Sequence, residues 1–131
     1  MSTPVTRLTL LLLIKILGTL PVAVPMLTFS HERLDRISGF GPSHEALYRV
    51  YGMALVALLV GYGGGIVQAQ SGDYPLGVLI MGLVSNAGAT LVLLLTGQAK
   101  RQLPAAVFFG LIAVGLAIAL LAPEAAMAPA W

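Results

Sequence analysis

The chain has 131 residues, 58% of them hydrophobic and 9% charged, with a net charge of +2 and a mean hydropathy of +0.94. Soluble domains carry about 25% charged residues. So few charges exclude a surface wetted all round, and the lack of a basic cluster excludes a nucleic-acid interface. Cysteine is absent, which excludes disulfides, thiolate chemistry and iron–sulfur ligation.

A helix rises about 1.5 Å per residue and a bilayer's hydrocarbon core is about 30 Å thick, so about 20 apolar residues cross it. Four segments have that length: 8–29, 46–68, 75–95 and 103–122. The stretches from Arg49 to Asp73, Asp73 to Lys100 and Arg101 to Glu124 hold no charge between their ends, and the first span holds only Lys15. Together the spans use most of the chain. The expected fold is all-α: one integral membrane domain, a four-helix transmembrane bundle running up and down.

In span one, Arg7 before Leu8–Ile14 imitates the start of a signal peptide. The apolar run resumes after Lys15 with no A-x-A pattern, so a retained span is expected. Pro21 and Pro25 each remove a backbone donor and predict a kink or an early end. The segment 30–43 follows as an amphipathic connection. Ser30 is placed to cap a short helix that stops near Gly39. Leu34 and Ile37 of that helix are expected to face the membrane. Gly39-Phe40-Gly41-Pro42 reads as a turn, after which Ser43 caps span two.

Span two ends in Gly61-Tyr62-Gly63-Gly64-Gly65, read as an interfacial aromatic in a frayed helix end. Ser71-Gly72-Asp73 supplies turn chemistry. Pro75 suits the first turn of span three. Residues 97–102 form the next loop, and Pro123 stops span four. Glu124–Trp131 is left as a tail, with Trp131 suited to a membrane interface.

Orientation follows from basic residues near the span ends. The side bearing 30–43 and 97–102 holds Arg33, Arg36, Arg49, Lys100 and Arg101, against Arg7 and Lys15 opposite. Both loops are therefore expected in the cytoplasm and both termini outside.

Helices approach in lipid through small residues. Ala106, Gly110, Ala113 and Ala117 make such a stripe on span four, Gly61 and Gly65 on span two, and Gly82 with Asn86 and Thr90 on span three. Four polar residues stand at or inside the spans. Lys15 sits about two turns deep. It is read as snorkelling, as paired with Asp73 or Glu124, or as a substrate, headgroup or quinone contact. Arg49 pairs by spacing with Glu45, with Asp35 a second partner, and positions the loop or holds a lipid phosphate. Asn86, beside Ser85, is interhelical glue or the lining of a cavity. His31, Asp35 and His44, near Glu32 and Glu45, make the one metal-like constellation, across a flexible turn.

A kinked first span, then Glu32-Arg33-Leu34, a Gly-Pro turn and Leu47-Tyr48-Arg49-Val50-Tyr51-Gly52, resembles the small bacterial four-helix proteins of the DoxX-like superfamily. The resemblance covers most of the chain in layout and about twenty residues in detail. It implies a bacterial inner membrane and, for some members, quinone-dependent sulfur oxidation. The leading expectation of function is a non-catalytic accessory or assembly subunit of a larger membrane complex. The residues show no cofactor motif. A DoxX-like redox-linked subunit with a quinone or lipid pocket near Lys15 or Asn86 is the second expectation. A small-solute transporter acting as an oligomer is the third. The expected partners are the lipid bilayer and other membrane subunits, or further copies of the chain.

Overall fold

The structure is a computed structural model that describes residues 4–38 and 42–131. Six helices follow one another: α1 (Arg7–Thr28), α2 (His31–Ser38), α3 (Glu45–Gln70), α4 (Leu76–Leu95), α5 (Leu103–Leu121) and α6 (Pro123–Met127). The described residues hold no strand, only an isolated bridge between Thr6 and Pro129. Helices α1, α3, α4 and α5 are each long and apolar enough to cross a membrane.

Hydrogen bonds fix the direction of the helices. The Thr9 hydroxyl, in the first turn of α1, donates to Gln70 Oε1 at the end of α3 (2.7 Å). The Tyr74 hydroxyl, just before α4, donates to Ala119 O near the end of α5 (2.8 Å). The starts of α1 and α4 thus meet the ends of α3 and α5, so the four long helices alternate in direction. α1 packs mainly on α3, and α4 mainly on α5. Between these two hairpins lies a core of Leu8, Leu12, Tyr62, Leu79, Ile112 and Leu116.

Several local expectations need correcting. α1 does not end early: it runs through Pro21 and Pro25 to Thr28, and the Phe29 amide closes it on Pro25 O (2.8 Å). Ser30 caps α2 as expected, its hydroxyl accepting from the Arg33 amide (3.3 Å). Leu34 does not face outward: it is buried against the bundle, while Ile37 is exposed. Ser43 does not cap α3. The N-cap is His44, without a side-chain bond, and the Ser43 amide donates to Asp35 Oδ1 instead (3.1 Å). The turn at Gly39, Phe40 and Gly41 lies outside the described residues.

The glycine run does not fray. α3 continues to Gln70, and Tyr62 is fully buried in the core. The reason is tertiary: Gly65 lets Val78 and Leu12 come within 2.8 Å and 3.1 Å of where a Cβ would stand. Pro75 is the N-cap of α4, one residue before its first turn. Pro123 both stops α5 and opens α6, since its fixed φ and missing N–H suit the first turn of a helix. The tail then folds back on the N-terminus: the Arg7 amide donates to Ala128 O (3.0 Å) and the Ala130 amide to Val5 O (2.9 Å). Trp131 is exposed.

Candidate functional site

At the α2 end of the bundle, a cleft of about 430 Å³ opens between α1, α2, α3 and α5. Gly18, Thr19 and Val22 line it from α1, Ile37 from α2, and Tyr51 and Leu55 from α3. Phe108 and Phe109 form its α5 wall, with Arg101, Gln102, Pro104 and Ala105 at the start of that helix. Ligand clefts commonly measure about 300–1,000 Å³ and are mostly apolar with a few placed polar groups. The Gln102 amide ties this end together by donating to the Ser38 carbonyl, which joins α2 to the start of α5.

Lys15 stands beside the cleft wall. Its side chain is buried, and its ammonium lies 4.7 Å from the Phe109 ring centroid and 5.2 Å from that of Phe108. The charge faces the negative π-faces of two rings, an attraction worth about 2 kcal/mol when desolvated. The expected partners Asp73 and Glu124 do not pair with it, nor does it snorkel: its stem and ammonium are covered by protein. Both carboxylates lie at the terminal end of the bundle, near the α3–α4 turn and in α6, while the Lys15 ammonium lies on the two α5 rings. Gly18 makes the aromatic contact accessible. A Cβ there would stand 2.4 Å from Phe108 Cζ, so only glycine admits the ring this close to α1.

Asn86 is fully buried on α4. Its Nδ2 donates to the Tyr62 hydroxyl of α3 (3.1 Å) and to Gly82 O (2.7 Å), while Thr90 Oγ1 donates to Asn86 O (2.8 Å). Among the described residues nothing donates to Asn86 Oδ1. The amide therefore links the two hairpins, and it is not among the residues lining the cleft beside Lys15. Ser85 is half-buried and takes no part in this network among the described residues.

Arg49 closes the open end of α1. Its guanidinium donates to Met26 O (2.7 Å) and Phe29 O (2.8 Å), two carbonyls of the last turn and cap, and to Glu45 Oε1 (2.9 Å). The expected pairing with Glu45 is present. Asp35 is not a partner, because its Oδ1 accepts from the Tyr48 hydroxyl (2.6 Å). A positive group at a helix C-terminus also complements the helix dipole.

The metal-like constellation does not assemble. Among the described residues no three His, Asp or Glu side chains come together. Asp35 is held by Tyr48 and Ser43, and His31 lies 3.4 Å from Glu32.

The small-residue stripes pack within the chain. Gly110 faces Thr90 of α4 at 3.8 Å; Ala106 and Ala113 are buried, and Ala117 is half-buried. Gly61 meets Met81, and Gly82 meets Leu116 and Tyr62. Gly18, Gly52 against Leu27, and Gly115 against Leu11 are further close approaches that the stripes did not include. By contrast Gly64, Gly77 and Gly88 have nothing within 4 Å of a Cβ position. The polar candidates thus stay apart: Lys15 beside the cleft, Asn86 in the α3–α4 seam, Arg49 at the end of α1. Comparison with family models, curated proteins and solved structures returns no match.

Proposed function

We propose that the chain is a multi-pass protein of the bacterial inner membrane that acts as a non-catalytic accessory or assembly subunit. The observation that carries this reading is the outer face of α4. Gly77 and Gly88 lie about three turns apart on it, with exposed Ile80, Val84 and Leu91 between and beyond them. Glycine inside a helix costs about 1 kcal/mol relative to alanine. The inward glycines offset that cost by admitting a neighbour; Gly77 and Gly88 admit none among the described residues. In lipid, small residues are where helices of different subunits approach. On the stripe from Ala106 to Ala117, Gly110 already faces Thr90 of α4, and Ala106 and Ala113 are buried within the chain.

Size-exclusion chromatography with light scattering, in a mild detergent, tests the reading. The parent should run as an assembly larger than one chain, and Gly88→Leu should release the monomer. Gly110→Leu, which presses on α4 from inside, should lower thermal stability by about 1–3 kcal/mol and release no partner. A monomeric parent that Gly88→Leu leaves unchanged would sink the proposal. The second reading, a DoxX-like subunit with a lipid or quinone pocket, is supported by one observation, the cleft beside Lys15. Asn86 lies outside that cleft.

A further inference from the structure

We infer that the cleft at the α2 end seats an acyl chain of an anionic phospholipid, with its phosphodiester on the Arg101 guanidinium. The inference rests on the membrane placement proposed above, not on the subunit role. Three observations lead to it. The first is the wall: Phe108, Phe109, Leu55 and Val22 offer an apolar trough about 430 Å³ in volume, large enough for a chain. Its edge is open to the side, where Val22 and Pro104 are exposed, so a chain enters from the surrounding lipid.

The second observation is charge. Arg101 lines the mouth and pairs with no acid among the described residues. The acids at this end are already engaged: Asp35 by Tyr48, Glu45 by Arg49, and Glu32 beside His31. Arg101 is therefore left with its five donors for an outside anion, a geometry that matches phosphate oxygens. Tyr51, from α3, lines the same cleft. Basic pockets between membrane helices bind anionic headgroups in this way.

The third is the rigidity of the wall. The Lys15 ammonium contacts the Phe108 and Phe109 rings at 5.2 Å and 4.7 Å, and Gly18 seats the Phe108 ring against α1. The trough thus stands preformed instead of collapsing. A free phosphate ion would use Arg101 alone and leave the trough empty, so a lipid is the ligand that matches both halves.

Brominated-lipid quenching tests this. The full chain carries Trp131→Phe, to remove the one native tryptophan, and either Val22→Trp in the cleft or Leu91→Trp on the outer face of α4. It is reconstituted into vesicles of equal phosphatidylcholine and phosphatidylglycerol, with only one of the two lipids brominated. At Val22→Trp, brominated phosphatidylglycerol should quench as if about fivefold preferred, the contribution of one basic residue near a surface. At Leu91→Trp the two should quench alike. Arg101→Gln should abolish the preference, while Lys100→Gln, the same charge change outside the cleft, should keep it. Equal quenching at Val22→Trp, or a preference that Arg101→Gln leaves intact, overturns the assignment. No quenching at either tryptophan overturns the membrane placement, and the lipid with it.

Discussion

Glycines at two positions in this chain have opposite consequences. At Gly18 a Cβ would meet the Phe108 ring at 2.4 Å, and shifting that ring would disturb its contact with the Lys15 ammonium. Gly18→Ala should therefore cost about 1–3 kcal/mol, the usual range for overpacking. At Gly64 a Cβ meets nothing within 4 Å. Gly64→Ala should be neutral or stabilise the single chain by about 0.5–1 kcal/mol through helix propensity. Thermal unfolding of the two variants in detergent makes the comparison; equal effects would contradict the packing at Gly18. A double-mutant cycle probes the seam between the hairpins. Tyr62→Phe and Asn86→Leu should couple by about 0.6 kcal/mol, and by no more than about 2. Additive effects would mean that the hydroxyl–amide bond contributes nothing. Asn86 was visible in sequence as a polar residue in an apolar run. Tyr62, its partner, is not legible in this way, because the flanking glycines suggest a helix end. The close approaches of Gly61 and Gly65 to α4, and of Gly65 to α1, arise only when the helices pack.

Helix boundaries were legible because hydropathy and length alone mark them. All four long helices fall within a few residues of the apolar segments. What joins their ends was not. Arg49 was expected to position the loop, and its spacing to Glu45 was readable, but its main partners are the carbonyls of Met26 and Phe29 on another helix. A lysine there keeps the charge and loses the fork that reaches both carbonyls. Arg49→Lys should cost about 1.5–3 kcal/mol, the range for hydrogen bonds to a charged group. It should also speed tryptic cleavage after Arg36, as the end of α1 and the α2 segment that follows it loosen from α3. Glu45→Gln should do neither, since an exposed i,i+4 pair contributes about 0.3–0.5 kcal/mol. If Arg49→Lys is cut no faster than the parent, the arginine is not what holds this end. The aromatic partners of Lys15 and the return of the tail onto Val5 and Arg7 were equally hidden. Each joins residues from opposite ends of the chain, where no local pattern carries information.

At the scale of the molecule, the exposed α4 glycines and the basic cleft acquire meaning only if the four apolar helices cross a bilayer. By the positive-inside rule, the proposed orientation puts the α2 loop and the α4–α5 loop on the cytoplasmic side. The hydrogen bonds of the bundle bring those loops to one end and the termini to the other. The chain has no cysteine, so single cysteines can be introduced without background. Glu32→Cys and Thr96→Cys probe the α2 end, and Ser71→Cys the terminal end; all three positions are exposed. Labelling with a membrane-impermeant thiol reagent, in intact bacterial cells and again after the membrane is opened, is the most direct test. Ser71→Cys should label in intact cells, and Glu32→Cys and Thr96→Cys only after opening. The reverse pattern would invert the orientation; labelling of all three in intact cells would contradict a bundle that spans the membrane.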